Sequence, residues 1–462
     1  MLSEFQTVSY LAAMLYHIVG QQDWVGRSIA ASFGIWGIFA LYQLVRRVWD
    51  EEHALVSAAV MAILPGSIFI ERSFLPDPAM VALVTTSLWF AVAYCQSDRP
   101  RYLVLAGVFG TWGFLSKIPG LIVGIPALYA IWVILGRRQQ RSPKKLLLIA
   151  GAAVASLIPV IAYYLWARHL SLSYPPYHFA GSGNWVWDSG LAKWLKHSYF
   201  IPHLNAQFNN WIWTAPVILL VAVGLCFPPP RRQEDKESGL NSTPHAPWLF
   251  HWWLLGGLAY YAIGAKELVT NPWNFHLINP VAAAFAAHGM IAIASSWNSS
   301  LRTPRALAII VVFLLVIGGF GQSSLERMYR PYADQSRKLG LALDRVARPD
   351  DLVVTIATDI GDPIAIYYSR RRGWTFPPAN NVGWNELPKN DDDAIQLFEE
   401  LRESGADWFG VSARQTNNLW KNYSKLAQHI ERTCQFHSQS KDWLIYRILS
   451  PEELKQRSLI NS

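Results

Sequence analysis

The sequence places a small set of ionisable residues at the ends of long apolar segments. They are Glu4, Arg27, Glu71, Arg72, Asp77, Lys117, Lys266, Glu267 and His276. Charge beside hydrocarbon is costly, and side chains that carry it there usually have a function. Carboxylates in such places can accept protons, and lysine or arginine can hold a phosphate. Together these residues favour a site for an anionic, partly lipidic molecule.

Asp77 lies between Pro76 and Pro78 in the segment "ERSFLPDPAM". Pro78 disfavours helical backbone at Asp77 and suits the first turn of a following helix. One interpretation is therefore that Asp77 only caps that helix. The other is that a rigidly held carboxylate at the membrane surface serves as a general base.

Lys117 and His276 also allow a structural and a functional interpretation. Lys117 in "LSKIPGL" either extends its ammonium group to the membrane surface or neutralises a phosphate. His276 in "NPWNFHLINP" has no HxH or HExxH companion, so no zinc motif is present. A lone histidine is more often structural, and the sequence leaves a divalent metal open.

The elements that must position these residues are membrane helices. Of 462 residues, 52% are hydrophobic and 16% charged, against about 25% charged in a soluble domain. Apolar windows recur that can each cross a ~30 Å hydrocarbon layer. The predicted spans are 28–47, 54–70, 79–95, 102–116, 119–136, 147–167, 209–227, 247–264, 275–296 and 305–321. We predict a polytopic α-helical membrane protein with about ten spans, within a transmembrane domain at 1–322.

The charges predict the orientation of these spans. Lys and Arg cluster in every second loop, as in "RRQQRSPKK" at 137–145, and such loops face the cytoplasm. The alternate segments then lie outside: 71–78, the turn at Lys117, 168–208, 265–274 and everything after 322. All the ionisable residues named above fall on that outer face. The net charge of +8 is thus a topology signal and no indication of nucleic acid.

The first clear span runs inward, so residues 1–27 would have to begin outside. They do not form a signal peptide, because Glu4 stands where a basic region is expected. We expect an N-terminal span to be absent, through truncation or a misplaced start.

The segment 323–462 predicts a small extracytoplasmic α/β domain. Strands are predicted at 351–358, 406–413 and 441–449, and an amphipathic helix at 391–405. Its basic patch "SRRRGW" favours a solvated face over a phosphate site. The external loop before it predicts a short amphipathic helix at 189–200, as a passive interfacial belt or as a flap over a lipid-linked substrate. The three cysteines form no readable disulfide framework.

The order of several short motifs resembles a known family. "ALYQLVRRVW" is followed by "ERSFLPDPAM", "FLSKIPGL" and "NFHLINPVAAAFAAHG", and the tail contains "YYSRRRGW" and "ESGADWFGV". This order is similar to that of GT-C type membrane glycosyltransferases, in the branch of protein O-mannosyltransferases and aminoarabinose transferases. Leu277 after His276 departs from the aromatic residue of that branch.

The resemblance implies transfer of a sugar, with inversion, from a polyprenyl-phosphate donor to an acceptor at the outer face. It implies that Asp77 and Glu4 are catalytic residues and that Lys117 contacts the donor phosphate. Arg72, Arg27 and His276 join Lys117 as expected substrate-binding residues. The principal catalytic Asp of the family precedes the point where this sequence begins.

Two other functions stay open at this stage. A transporter or flippase for a lipid-linked substrate is one, although polar groups at mid-membrane and internal repeats are not evident. A catalytically inactive, truncated homologue is the other. The sugar and the acceptor, whether lipid, protein or glycan, are not predicted.

Overall fold

The computed structural model describes residues 5–173, 196–205, 211–230, 245–263, 272–297, 303–331, 333–377, 387–388, 390–450 and 452–455. Glu4, Lys266, Glu267 and most of the helix predicted at 189–200 lie outside these residues. The chain divides into two compact units, with the change of unit at Tyr329 and Arg330. The predicted boundary at 322/323 falls inside a helix that ends at Met328.

The first unit is helical. Its helices are α1 (Thr7–Val19), α2 (Asp23–Val48), α3 (Glu51–Ile63), α4 (Pro65–Glu71), α5 (Asp77–Ser97), α6 (Pro100–Ser116), α7 (Gly124–Arg137), α8 (Pro143–Ser173), α9 (His197–Asn205), α10 (Thr214–Cys226), α11 (Leu249–Ile263), α12 (Asn279–Trp297) and α13 (Pro304–Met328). Two 3-10 segments, Ile118–Val123 and Pro272–Ile278, precede α7 and α12.

Six segments of the described chain are long and apolar enough to cross a membrane, or seven if α3 and α4 form one bent span. They are Asp23–Val48, Asp77–Ser97, Ile118–Arg137, Pro143–Leu170, Trp273–Ser296 and Pro304–Met328. The prediction of a polytopic membrane protein is confirmed. The count of about ten stays a prediction, because α1 and α10 are shorter apolar helices and α6 and α11 have only 17 and 15 residues.

The predicted span 54–70 is a bent pair of helices. Leu64 has extended backbone and Pro65 begins α4, so the axes of α3 and α4 differ by 65°. Proline supplies no N–H and breaks the helical hydrogen bonding at this point. The N–H of Gly66 instead donates to the carbonyl of Ile212 at 3.1 Å. A backbone group released by the break is therefore paired inside the protein, as an apolar surrounding requires.

The centre of this unit is built by α5 and α12. Of the apolar window at Trp273–Ser296, 94% is buried inside the protein, against 6% for Pro143–Leu170. α12 and α10 approach closely at two glycines: a Cβ on Gly289 would lie 2.3 Å from the Leu220 carbonyl oxygen, and one on Gly224 would lie 2.1 Å from that of Phe285. Small residues permit such close helix contacts in membranes. The N-terminal ends of α5 and α12 carry the residues described below.

The second unit contains a five-stranded sheet flanked by helices. Its elements are α14 (Asp334–Val346), β1 (Leu352–Ile356), α15 (Ile364–Ser369), β2 (Arg372–Thr375), α16 (Asp391–Glu403), β3 (Ala406–Ser412), α17 (Ala413–Asn422), α18 (Ser424–Thr433), β4 (Cys434–Gln439) and β5 (Trp443–Ile448). The strand order is β2-β1-β3-β5-β4, with β1 parallel to β2 and β3, and β5 antiparallel to β3 and β4. β1, β3, β5 and α16 lie at the predicted positions, whereas β2 and β4 were not predicted.

The basic patch of this unit is partly structural. Arg371 donates to the Asp344 carboxylate at 3.2 Å and to the Ala347 carbonyl at 2.6 Å. Arg370 lies beside it and is exposed. One arginine of the patch therefore joins β2 to the end of α14.

Candidate active site

Asp77 is the first residue of α5, and the interpretation of Asp77 as a helix cap is wrong. Pro76 occupies the N-cap position, and no side-chain hydrogen bond caps this helix. The carboxylate of Asp77 instead accepts a hydrogen bond from the Lys117 ammonium group at 2.8 Å. Pro76 and Pro78 start the helix by their fixed backbone, which leaves the Asp77 side chain for this ion pair.

The Asp77–Lys117 pair is almost completely removed from solvent. The Asp77 side chain is 1% exposed and that of Lys117 is 13% exposed. Lys117 also donates to Asn274 Oδ1 at 3.2 Å, which joins the pair to the 3-10 segment before α12. A buried ion pair needs such additional hydrogen bonds because desolvation of its charges is expensive. The structure thus builds a fixed cation from three distant parts of the sequence.

Glu71 and His276 form a second pair next to it. Glu71 Oε1 lies 3.7 Å from His276 Nε2, and their side chains are 12% and 1% exposed. The other nitrogen of His276, Nδ1, lies 2.9 Å from Asn279 Nδ2. Asn279 Oδ1 accepts from the indole N–H of Trp213 at 2.9 Å. His276 is two residues from Asn274, so both pairs meet at one 3-10 segment.

The two arginines that were predicted to bind substrate, Arg72 and Arg27, have different surroundings. Arg72 is exposed, and its guanidinium group lies 4.6 Å from the centre of the Tyr329 ring. Arg27 is exposed at the start of α2, beside Gly26, whose backbone contacts the Phe74 ring of the 71–78 segment. No described contact brings Arg27 to Lys117 or His276. Arg27 and Arg72 therefore stay predicted substrate-binding residues.

Glu4 lies outside the described residues, next to a segment that reaches the site. The first described residue, Phe5, donates its N–H to the Leu115 carbonyl at 3.0 Å. Thr7 then hydrogen-bonds to Ser116 at 2.9 Å, directly before Lys117. The start of α1 is thus held at the end of α6, and the role of Glu4 stays a prediction.

Charged side chains gather at both ends of α5. Segments predicted to lie outside meet at the start of α5, as described. At its C-terminal end, Asp98 forms ion pairs with Arg138 at 3.0 Å and with Lys145, both in the predicted cytoplasmic loop 137–145. Burial alone raises the pKa of Asp98, but the hydrogen bond from Lys145 and the charge of Arg138 outweigh it and hold that pKa below its usual range. The 21 residues of α5 separate the two charged clusters by about 30 Å.

Sequence reasoning missed Asn274, Asn279 and Trp213. Asn274 and Asn279 stand in the quoted "NPWNFHLINP", and their distance from His276 by two and three residues was the available signal. Trp213 gave no signal, because an indole at the edge of an apolar segment also suits an interfacial position. Within the described ranges, no group of three or more His, Cys, Asp or Glu side chains is placed to hold a metal ion.

The resemblance of the sequence to GT-C type membrane glycosyltransferases is confirmed by a family model that matches part of the chain and by solved structures that share the fold. Residues 7–166 match the family model described as dolichyl-phosphate-mannose-protein mannosyltransferase. The matched stretch contains Glu71, Asp77 and Lys117. A comparison with curated proteins finds no match.

Solved structures share the fold over nearly the whole chain. ArnT from Cupriavidus metallidurans matches in its apo state with a TM-score of 0.59 and 12% identity, over 96% of this chain and 88% of ArnT. ArnT bound to undecaprenyl phosphate gives 0.58, with the same identity and coverage. The archaeal oligosaccharyltransferase AglB from Archaeoglobus fulgidus, in complex with an inhibitory peptide and a dolichol-phosphate, gives 0.51 at 13% identity, over 98% of this chain and 67% of AglB. At these identities the similarity concerns the fold.

Proposed function

We propose that the protein is an inverting glycosyltransferase that uses a polyprenyl-phosphate-linked sugar and glycosylates a hydroxyl acceptor at the outer face of the membrane. The observation that carries this proposal is the fixed Lys117 cation beside Asp77, Asn274 and the Glu71–His276 pair. It is supported by the solved relatives bound to undecaprenyl phosphate and dolichol-phosphate.

Lys117 suits the departing phosphate. When the acceptor oxygen attacks C1 of the sugar, negative charge develops on the phosphate that leaves. A positioned cation stabilises that charge in the transition state. Asp77 and Asn274 hold the Lys117 ammonium group in one place, so little reorganisation is needed when the charge appears.

The proposed location follows the charge pattern. The clustered arginines and lysines of loops such as 137–145 face the cytoplasm, and the site then opens to the outer surface of the plasma membrane. The α/β unit from residue 330 onward lies on that same outer side in this proposal.

Binding of undecaprenyl phosphate to the full-length protein in nanodiscs tests the role of Lys117. We expect Lys117→Met to weaken binding at least tenfold, because a charge-assisted hydrogen bond contributes about 1.5–3 kcal/mol. Lys144→Met is the matched control, since Lys144 is exposed at the other end of the helices. Equal affinities of the native protein and the Lys117→Met variant would contradict the proposed phosphate site.

A further inference from the structure

The two carboxylates of the site, Asp77 and Glu71, differ in their exposure. Asp77 is 1% exposed, one oxygen is bonded to Lys117, and its Oδ2 is buried with no hydrogen-bond partner among the described residues. Glu71 is 12% exposed. A general base must come within hydrogen-bond reach of the proton that it accepts. A hydroxyl entering the site can therefore reach the partly exposed Glu71, whereas its neighbours enclose Asp77.

The hydrogen bonds that hold His276, the neighbour of Glu71, each have a defined donor and acceptor. The Trp213 indole N–H can only donate, so Asn279 Oδ1 is the acceptor of that bond. Asn279 Nδ2 is then the amide donor, and it faces His276 Nδ1 at 2.9 Å. His276 Nδ1 must accept, which leaves its proton on Nε2. That nitrogen is the one 3.7 Å from Glu71 Oε1.

Glu71 also packs closely against the α2 backbone. A Cβ on Gly34 would lie 2.6 Å from Glu71 Oε2, so only a glycine in α2 leaves room for the carboxylate. Glu71 thus lies beside a neutral histidine with a fixed proton and beside the α2 backbone, and its side chain stays 12% exposed.

We infer that Glu71 is a further catalytic residue and that His276 and Asn279 are positioning residues for it; this rests on the proposed function. The acceptor hydroxyl gives its proton to the Glu71 carboxylate as its oxygen forms a bond to C1 of the sugar. The bond between C1 and the phosphate oxygen breaks, and its electron pair leaves with the polyprenyl phosphate, whose charge Lys117 holds. Asp77 keeps Lys117 in position.

Glu71→Gln is the direct test, in the full-length protein in nanodiscs. Donor cleavage is measured as release of polyprenyl phosphate from dolichyl phosphate mannose and from undecaprenyl phosphate aminoarabinose, and undecaprenyl phosphate binding is measured in parallel. We expect turnover to fall at least 100-fold, in the range of general base catalysis, with binding changed less than twofold. Glu52→Gln is the control, because Glu52 is an exposed carboxylate at the other end of the same bent helix pair.

The two measurements separate the possible failures. Retained turnover in Glu71→Gln, while the native protein is active, overturns this inference alone. A native protein that neither binds undecaprenyl phosphate nor cleaves either donor overturns the proposed function, and this inference with it. Loss of both binding and turnover in Glu71→Gln assigns Glu71 to the structure of the site and also overturns the inference.

Asn279→Asp tests the positioning residues. The aspartate carboxylate would accept a hydrogen bond from a protonated His276 Nδ1 and so allow His276 to carry a charge beside Glu71. We expect kcat to fall about tenfold with KM for the donor unchanged, and the acid limb of the pH–rate profile to move to lower pH. An unchanged pH profile would show that the tautomer of His276 is not used.

Discussion

At the scale of single residues, the Asp77–Lys117 ion pair holds the site together. Removing two charges from water costs several kcal/mol, and the pair recovers that cost only while both partners are present. Lys117 of this pair also donates a hydrogen bond to the Asn274 amide oxygen, so the pair joins three segments of the chain. Its loss should therefore affect both stability and phosphate binding.

Asp77→Asn is expected to lower the free energy of unfolding by about 3 kcal/mol, because Lys117 would be left buried without its counter-charge. Undecaprenyl phosphate should also bind more weakly, since the ammonium group is no longer held. Thermal unfolding in detergent measures the first effect.

The double variant Asp77→Asn/Lys117→Met is the control for this prediction. It removes both charges, so it should be more stable than the sum of the two single changes implies. Strictly additive losses of stability would show that the two side chains do not interact.

At the scale of elements, the contact of α10 with α12 has no room for side chains at two positions. Gly289→Ala and Gly224→Ala each place a Cβ within 2.3 Å of a backbone oxygen. We expect each substitution to lower the free energy of unfolding by about 1–3 kcal/mol, which is typical of overpacking.

Gly318→Ala in α13 is the matched control, because a Cβ there meets nothing within 4 Å. Alanine favours helix over glycine, so this variant should be as stable as the native protein or slightly more so. Thermal midpoints that fall equally in all three variants would contradict the close α10–α12 contact.

In the α/β unit, α16 and α18 are joined by Glu399. Its carboxylate accepts from Arg402 Nε at 2.9 Å and lies 2.6 Å from His429 Nε2. Burial alone raises the pKa of Glu399, but the hydrogen bonds from Arg402 and His429 outweigh it and keep that pKa below its usual range. A carboxyl group with a lowered pKa stabilises the fold above its unfolded pKa of about 4.3, and this contribution is lost as the pH falls through the folded-state pKa.

Glu399→Gln should therefore destabilise this unit at pH 7 and matter progressively less below about pH 4. Hydrogen exchange of α16 and α18 in the full-length protein measures the difference. Glu400→Gln, on the same helix and exposed, should change exchange little at any pH. A difference between native and Glu399→Gln that grows towards acid pH would contradict the lowered pKa.

At the scale of the whole molecule, chemical labelling can test the proposed orientation of the protein in the membrane. Cys226 is exposed and Cys95 and Cys434 are buried, so Cys226→Ser gives a suitable background. In intact cells, a membrane-impermeant maleimide should label Arg72→Cys and Lys441→Cys. Lys144→Cys should react only after permeabilisation, because its loop is predicted to be cytoplasmic. The reverse pattern would invert the topology.

Sequence reasoning predicted the kind of molecule and part of its site. Apolar runs identify helices because the membrane requires a fixed length of them, and the charge pattern predicts one common face for Asp77, Lys117 and His276. It did not predict the Asp77–Lys117 pair or the Trp213–Asn279 bond, which join residues 40 and 66 positions apart. It also missed β4, whose residues are mostly exposed and lack a clear apolar alternation.

The break between α3 and α4 also sets how far Glu71 lies along the direction of α3. A straight continuation of α3 would carry the seven residues of α4 about 10 Å further along its axis. With the 65° bend, the same residues advance only about 4 Å in that direction. Glu71 therefore lies about 6 Å less far along the α3 axis than an unbroken helix would place it.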